Sequence, residues 1–216
     1  MPQPPALLAR GPWEPGRVDC SWRDDHYEPE AAATAAADAA IAELRQRGSP
    51  SHDGPAARLA SYEERGGGLA LELQPARWSL RLGADAAASI SALCVVRDAE
   101  GRWLAGRRAA WLATWAGRWA LGAGGSVEVG EHPVDTLGRE LQEEWSVSPA
   151  RLSVEALVHL PSGLVLFVGM AHLDDGAEVV PDDEHDDFAW WPADVSSWPD
   201  HSEDPLVRMA TLLAAG

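Results

Sequence analysis

Residues 124–147, GGSVEVGEHPVDTLGRELQEEWSV, constrain this chain more than any other stretch. Pro133 suits the first turn of a helix, and the apolar residues beyond it recur at helical spacing. On a wheel of about 3.6 residues per turn, Val134, Leu137, Leu141 and Trp145 form one stripe. A helix of this kind buries its apolar stripe, and a sheet is the natural partner. Glu140, Glu143 and Glu144 form a second stripe beside the first. Like charges at such spacing repel. Either the face is solvated, or a hard, oxygen-seeking cation such as Mg²⁺ or Mn²⁺ comes to sit among the carboxylates. The flanks favour the cation. Gly124 and Gly125 let the backbone approach a metal or a phosphate. Arg139 directly precedes Glu140 and can grip a carboxylate with both arms of its guanidinium. Glu131, just before the helix, is its natural partner.

The rest of the chain supplies the layers around that helix. ISALCVVRD, from Ser89 onward, is a buried strand, and RWLAGRR follows after a short turn as the second arm of a hairpin. GRWALGAGGSVEVGE alternates strand and glycine-rich loop. VEALVHL and LVLFVGMAHL are strands about Pro161-Ser162-Gly163, FAWWPA is a short extended segment, and PLVRMATLLAA closes the chain as a helix. Strands around a central helix, with another helix at the end, predict an α+β fold: a mixed sheet flanked by helices. Upstream, residues 29–47 predict a helix, with Glu28 and Glu30 at its amino end and Arg45 and Arg47 at its carboxyl end. Residues 49–56 predict a loop. GLALELQ and RWSLRL, within about 69–82, predict strands around Pro75, and residues 1–28 read as irregular. The chain therefore divides into an N-terminal extension, 1–85, and a main domain, 86–216.

Charge excludes one class of partner. The formal net charge is −17, and the chain contains no lysine. So acidic a molecule lacks the cationic face that a long nucleic acid requires. A small phosphorylated substrate is compatible with it if cations screen the repulsion. No apolar run approaches the roughly 20 residues of a membrane span. The opening MPQPPALLARGPWEPG is too polar and too proline-broken for a secretory signal, so a cytoplasmic location is expected. Cys20 and Cys94 make neither a disulfide framework nor a zinc site.

Gly125, Glu131, Arg139, Glu140, Leu141, Glu143, Glu144 and Val147 fit the pattern G-x5-E-x7-R-E-U-x-E-E-x-G-U, where U is aliphatic. The stretch thus resembles the Nudix box, departing from it only at Ser146, where the pattern has glycine. The resemblance extends over about residues 88–214, through Arg107 and Arg108, Gly117-Arg118-Trp119, and FAWWPADV with Trp190. It implies the Nudix α/β/α sandwich and a metal-dependent hydrolysis of a nucleoside diphosphate linked to another moiety. Carried over by position, Glu140, Glu143 and Glu144 would bind Mg²⁺ or Mn²⁺, with the carbonyl of Gly124 or Gly125 as a further ligand. Glu140 or Glu144 would also accept a proton from the attacking water. Glu131 would pair with Arg139. By their own chemistry Arg107 or Arg108 could contact a substrate phosphate, and a surface arginine explains either equally well. Glu184, in the acidic stretch PDDEHDDFAWW, would add a ligand or base with His185 and Asp187 behind it. A solvated acidic loop explains that stretch equally well, and His185 by itself reads as a surface histidine. Trp119 could stack on a nucleobase, although core packing is the commoner use of a tryptophan. The glycine replaced by Ser146 ends the helix with a positive φ, so serine there bears on local stability rather than on the ligands.

Two other readings stand beside the hydrolase. One is a Nudix-fold sensor that binds a nucleotide without cleaving it; such relatives usually lose box glutamates, which this chain keeps. The other is an isopentenyl diphosphate isomerase, which needs a catalytic cysteine and a histidine-rich metal site; Cys94 lies inside the apolar strand ISALCVV, and no such histidine set is found. Substrate identity is not written in the box, and because dimers are common in the family, a homodimer is compatible with the sequence.

Overall fold

Apolar alternation in the strand segments and helical periodicity between them build two sheets and their covering helices. The computed structural model describes residues 5–49, 53–83, 85–112 and 114–214. In chain order the strands are β1 (Ala6–Trp13), β2 (Val18–Trp22), β3 (Pro55–Arg65), β4 (Gly68–Arg77), β5 (Ile90–Arg97), β6 (Trp103–Arg108), β7 (Trp119–Leu121), β8 (Ala123–Ser126), β9 (Arg151–His159), β10 (Val165–His172) and β11 (His185–Trp191). The helices are α1 (Ala31–Gln46), α2 (Pro133–Trp145) and α3 (Asp204–Ala214). An eight-stranded sheet runs β1-β9-β10-β5-β6-β11, with β7 on β6 and β8 on β5, while β2-β4-β3 form a three-stranded sheet. The large sheet is mixed: β10 is parallel to β5 and antiparallel to β9.

Period-two alternation in β5 decides what each face meets. Ile90, Ala92, Cys94 and Val96 share a buried cluster with Leu137, Leu141 and Trp145 of α2. Val95 joins the cluster that holds Leu206, Ala210 and Leu213 of α3. The two helices therefore cover opposite faces, and the α+β sandwich read from the sequence is the fold. None of the described helices is long and apolar enough to cross a membrane.

The leading region differs from the reading of its sequence in three places. Residues 1–28 do not lack regular structure, since β1 and β2 lie within them. β1 owes its order to a distant partner, pairing with β9 from Ala6↔His159 to Trp13↔Val154. RWSLRL is not a strand: Trp78–Leu82 forms a 3-10 turn, held by Trp78 N–H to the Gly54 carbonyl at 2.9 Å and Ser79 N–H to Asp53 Oδ1 at 3.0 Å. β3 was hidden because its outer half is polar and exposed. β4 runs straight through Pro75, which its position tolerates because β2 pairs only as far as Leu73. Of the loop expected at 49–56, residues 50–52 lie outside the described residues.

The small sheet is not a separate layer. Leu59, Leu69, Leu71 and Leu73 belong to the same buried cluster as Leu137 and Leu141. Ala57 and Leu59 of β3 donate backbone hydrogen bonds to the carbonyls of Val127 and Ala88, at 3.0 and 2.9 Å. His132 Nε2 lies 3.1 Å from the Val18 carbonyl, tying the start of α2 to β2.

Candidate active site

Helix α2 is fixed at both ends. Its N-cap is His132, whose Nδ1 accepts the Val134 N–H at 3.2 Å, and Pro133 follows where no N–H is needed. At its other end Ser146 takes the left-handed conformation, φ 56° and ψ 32°, and its N–H bonds to the Gln142 carbonyl at 3.1 Å. Two further terminal carbonyls, of Glu144 and Trp145, accept from Asp182 and Val180 at 2.9 Å each. These bonds satisfy groups that a helix end leaves open, and they bring the acidic loop before β11 against the helix.

The three glutamates do not share one fate. Glu140 and Glu144 point into the protein, with 9% and 3% of their surface exposed. Glu143 turns outward, its side chain 58% exposed, and accepts from Arg139 Nη1 at 3.1 Å. Arg139 also grips Glu131 with both arms, at 2.9 and 3.1 Å, touches Glu140 Oε1 at 2.8 Å, and reaches the Ser126 carbonyl at 3.2 Å. Burial works against the Glu131 charge, but the Arg139 bonds and the Glu128 N–H hold its carboxyl below the usual range.

Two glycines shape the space. A Cβ on Gly125 would stand 2.0 Å from Glu140 Oε1, so only glycine lets that carboxylate approach β8. Gly124 donates its N–H to Glu144 Oε1 at 2.9 Å, which orients that side chain. The other Glu144 oxygen, Oε2, is buried without a hydrogen-bond partner among the described residues. Burial pushes Glu140 up to about 6, with Arg139 opposing and Glu143 and Glu184 adding to the shift. Burial also raises Glu144 well above the usual range; the Gly124 N–H opposes this, and Glu140 and Glu184 reinforce it.

The loop before β11 supplies the other wall. Glu184 is about one-third exposed, lies 3.4 Å from Arg108 Nη2, and is raised by burial against the pull of Arg108. His185 is not a surface residue: it is 7% exposed, packed on Trp145 with ring centroids 4.4 Å apart and the planes tilted by 35°. Its Nδ1 lies 3.3 Å from Asp182 Oδ1, while Nε2 stands 3.6 Å from Glu144 Oε2, too far for a hydrogen bond. Gly106 makes this possible, since a Cβ there would stand 2.3 Å from the imidazole. A histidine inside an acidic run carries no periodic signal, so only the missing side chain of Gly106 could have hinted at it. Asp187 is exposed and accepts from its neighbour's N–H, that of Phe188. Trp119 lies away from the carboxylates, packed on Trp191 and His201 at 5.6 and 5.3 Å.

Among the described residues, no three His, Cys, Asp or Glu side chains already converge on one cation-sized point. The donor set nevertheless suits a hard divalent cation. It is all oxygen, two of its carboxylates are buried, only Glu140 of that pair is met by an arginine, and among the described residues Glu144 Oε2 has no hydrogen-bond partner. Glu143 would have to leave Arg139 to join them, and its exposure leaves it room to turn.

A family model described as the NUDIX domain matches residues 88–207. Among solved structures, the chain is similar to a MutT protein from Methanosarcina mazei Go1, at 20% identity over 59% of this chain and 91% of that one, with a TM-score of 0.42. It is also similar to a MutT NUDIX hydrolase from Burkholderia pseudomallei, at 23% identity over 58% and 96%, TM-score 0.48. The NUDIX domain of Shewanella oneidensis NrtR, in complex with ADP ribose, gives 17% identity over 59% and 86%, TM-score 0.45. No curated protein matches the chain.

Proposed function

Because this chain belongs to the Nudix family, we propose that it is a divalent-metal-dependent pyrophosphohydrolase of a small nucleoside diphosphate derivative. The observation that carries this reading is the buried pair Glu140 and Glu144, cation-seeking and with one oxygen unpartnered, within the matched segment. Glu140, Glu144 and, once turned, Glu143 would hold Mg²⁺ or Mn²⁺, with Glu184 at the margin. The bound cation would neutralise phosphate oxygens and lower the pKa of the attacking water.

The chain's own groups do the rest. Arg139 and Glu131 lock the loop to the helix, so that Gly125 and Glu140 keep their close approach. The Gly124 N–H holds one Glu144 oxygen, and the other is buried beside His185 with no hydrogen-bond partner among the described residues. Water attacks a phosphorus of the pyrophosphate, the anhydride P–O bond breaks, and the departing phosphate keeps that bond's electrons. We assign the water's proton to Glu184, the most exposed of the inward-facing carboxylates: 36% of its side chain is accessible, against 11% for Glu140 and 4% for Glu144. Arg108, beside Glu184, would meet the substrate's phosphate charge.

The test is a panel of nucleotide sugars, ADP-ribose, dinucleotides and nucleoside triphosphates with Mg²⁺ or Mn²⁺, reading phosphate or nucleotide release. Glu144→Gln is expected to lower kcat by at least about a hundredfold, since losing a ligand outweighs the ~10–100-fold cost of losing a ligand's outer-shell partner. Glu184→Gln is expected to lower it by about a hundredfold or more while metal binding persists, as loss of a general base does. Full turnover in Glu144→Gln would overturn the ligand assignment. Tight nucleotide binding by the wild type without release of product would make the chain a sensor.

A further inference from the structure

Among the described residues, Arg81 is a cation that makes no salt bridge. It lies in the Trp78–Leu82 turn, upstream of the segment matched to the family. Its Nη1 donates to the Ser126 hydroxyl and its Nη2 to the Ser91 hydroxyl. Those serines face each other across β8 and β5. Ser126 follows Gly125, the residue on which Glu140 is packed. The turn thus delivers a guanidinium to the border of the carboxylate site, close enough to feel the charges of Glu140 and Arg108.

No described carboxylate pairs with it directly, although Glu140 lies close enough to act on its charge. Arg108 has Glu184 and Arg139 has three carboxylates, but among the described residues Arg81 makes no salt bridge. Burial pushes it down to about 10, with Glu140 opposing and Arg108 adding to the fall. The Trp78 ring beneath it, 5.6 Å from the guanidinium carbon to the ring centroid, positions the fork but carries no net charge. Hydroxyls satisfy donors without cancelling charge, so a cation set among them gains most from an incoming anion. A planar guanidinium matches the spacing of phosphate oxygens.

We propose that Arg81 binds a phosphate group of the substrate, so that the leading region supplies part of the site. The identity of that ligand rests on the hydrolase reading above; the need of Arg81 for an anion does not.

Arg81→Gln removes the charge and keeps a donor for the two hydroxyls, whereas Arg81→Lys keeps the charge. Inorganic pyrophosphate, titrated calorimetrically with Mg²⁺ present, should bind Arg81→Gln at least about tenfold more weakly than wild type, the usual effect of losing a charged hydrogen bond. Arg81→Lys should retain most of the affinity. On the best substrate of the panel, Arg81→Gln should raise KM while kcat changes little. A purely structural clamp would instead lower the thermal midpoint and leave pyrophosphate affinity unchanged in the folded fraction. Equal binding by Arg81→Gln and wild type, or no pyrophosphate binding by wild type, overturns the proposal. Arg81-dependent binding in a protein that cleaves nothing would sink the hydrolase reading and leave Arg81 in its role.

Discussion

Glu140 and Glu144 are carboxylates placed where the ionised form is disfavoured, and that has a consequence for pH. In the unfolded chain Glu140 loses its proton near 4.5, whereas in the fold it holds it to about 6. The native state then binds more protons than the unfolded state across that interval, so stability falls as pH rises through it. For Glu140 alone the loss comes to about 2 kcal/mol in the metal-free protein. Glu144 and Glu184 shift in the same direction. A divalent cation prefers the ionised carboxylates and should restore what is lost. Melting curves in chelator should therefore show a lower midpoint at about pH 7.5 than at about pH 5, with added Mg²⁺ raising the first far more than the second. A chelated protein whose midpoint climbs through that interval would contradict this account. His185 belongs to the same scale: one letter in an acidic run, it becomes a buried neighbour of Glu144 only because Gly106 leaves room for it.

At the scale of elements, α2 was readable to its ends. Pro133 marks the start, the Leu137–Leu141–Trp145 stripe sets the buried face, and the departure at Ser146 falls on the residue that takes φ 56°. A side chain in that conformation costs on the order of 1 kcal/mol, and glycine relieves most of it. Ser146→Gly should therefore stabilise the protein by about 0.5–1 kcal/mol in urea unfolding and leave kcat unchanged, since Ser146 touches no carboxylate of the site. A destabilised Ser146→Gly would mean that the helix end is set by the loop bonds from Val180 and Asp182 instead. β1 and the Trp78–Leu82 turn were not readable. Their residues carry weak local patterns, and their conformations come from partners far along the chain: β9 for the strand, Gly54 and Asp53 for the turn.

Across the whole molecule, the region before residue 86 is woven into the rest. β1 closes one edge of the large sheet, and four leucines of the small sheet, Leu59, Leu69, Leu71 and Leu73, sit in the cluster that buries α2. At about 2 kcal/mol for each buried leucine, those four contribute about 8 kcal/mol, comparable with the whole stability of an ordinary domain. A chain beginning at residue 86 should consequently expose the β9 edge and the face beneath the small sheet, and aggregate. Size-exclusion chromatography of that fragment beside the full chain checks this. A monomeric, cooperatively melting fragment would show that the leading region is dispensable for folding.

The sequence by itself determined whatever depends on spacing along one element: the helix, its buried stripe, the run of glutamates, the Arg139–Glu131 reach and the alternation of the core strands. Periodicity encodes these because neighbours on a wheel or a pleat are fixed by the backbone alone. Only the tertiary structure decided that Glu143 faces outward while Glu140 and Glu144 face inward, that His185 is buried beside them, and that Arg81 arrives from an upstream turn. Those outcomes depend on which distant backbone leaves space, at Gly106 and Gly125, and on which turn carries a cation to the site's border, and no local pattern carries that information.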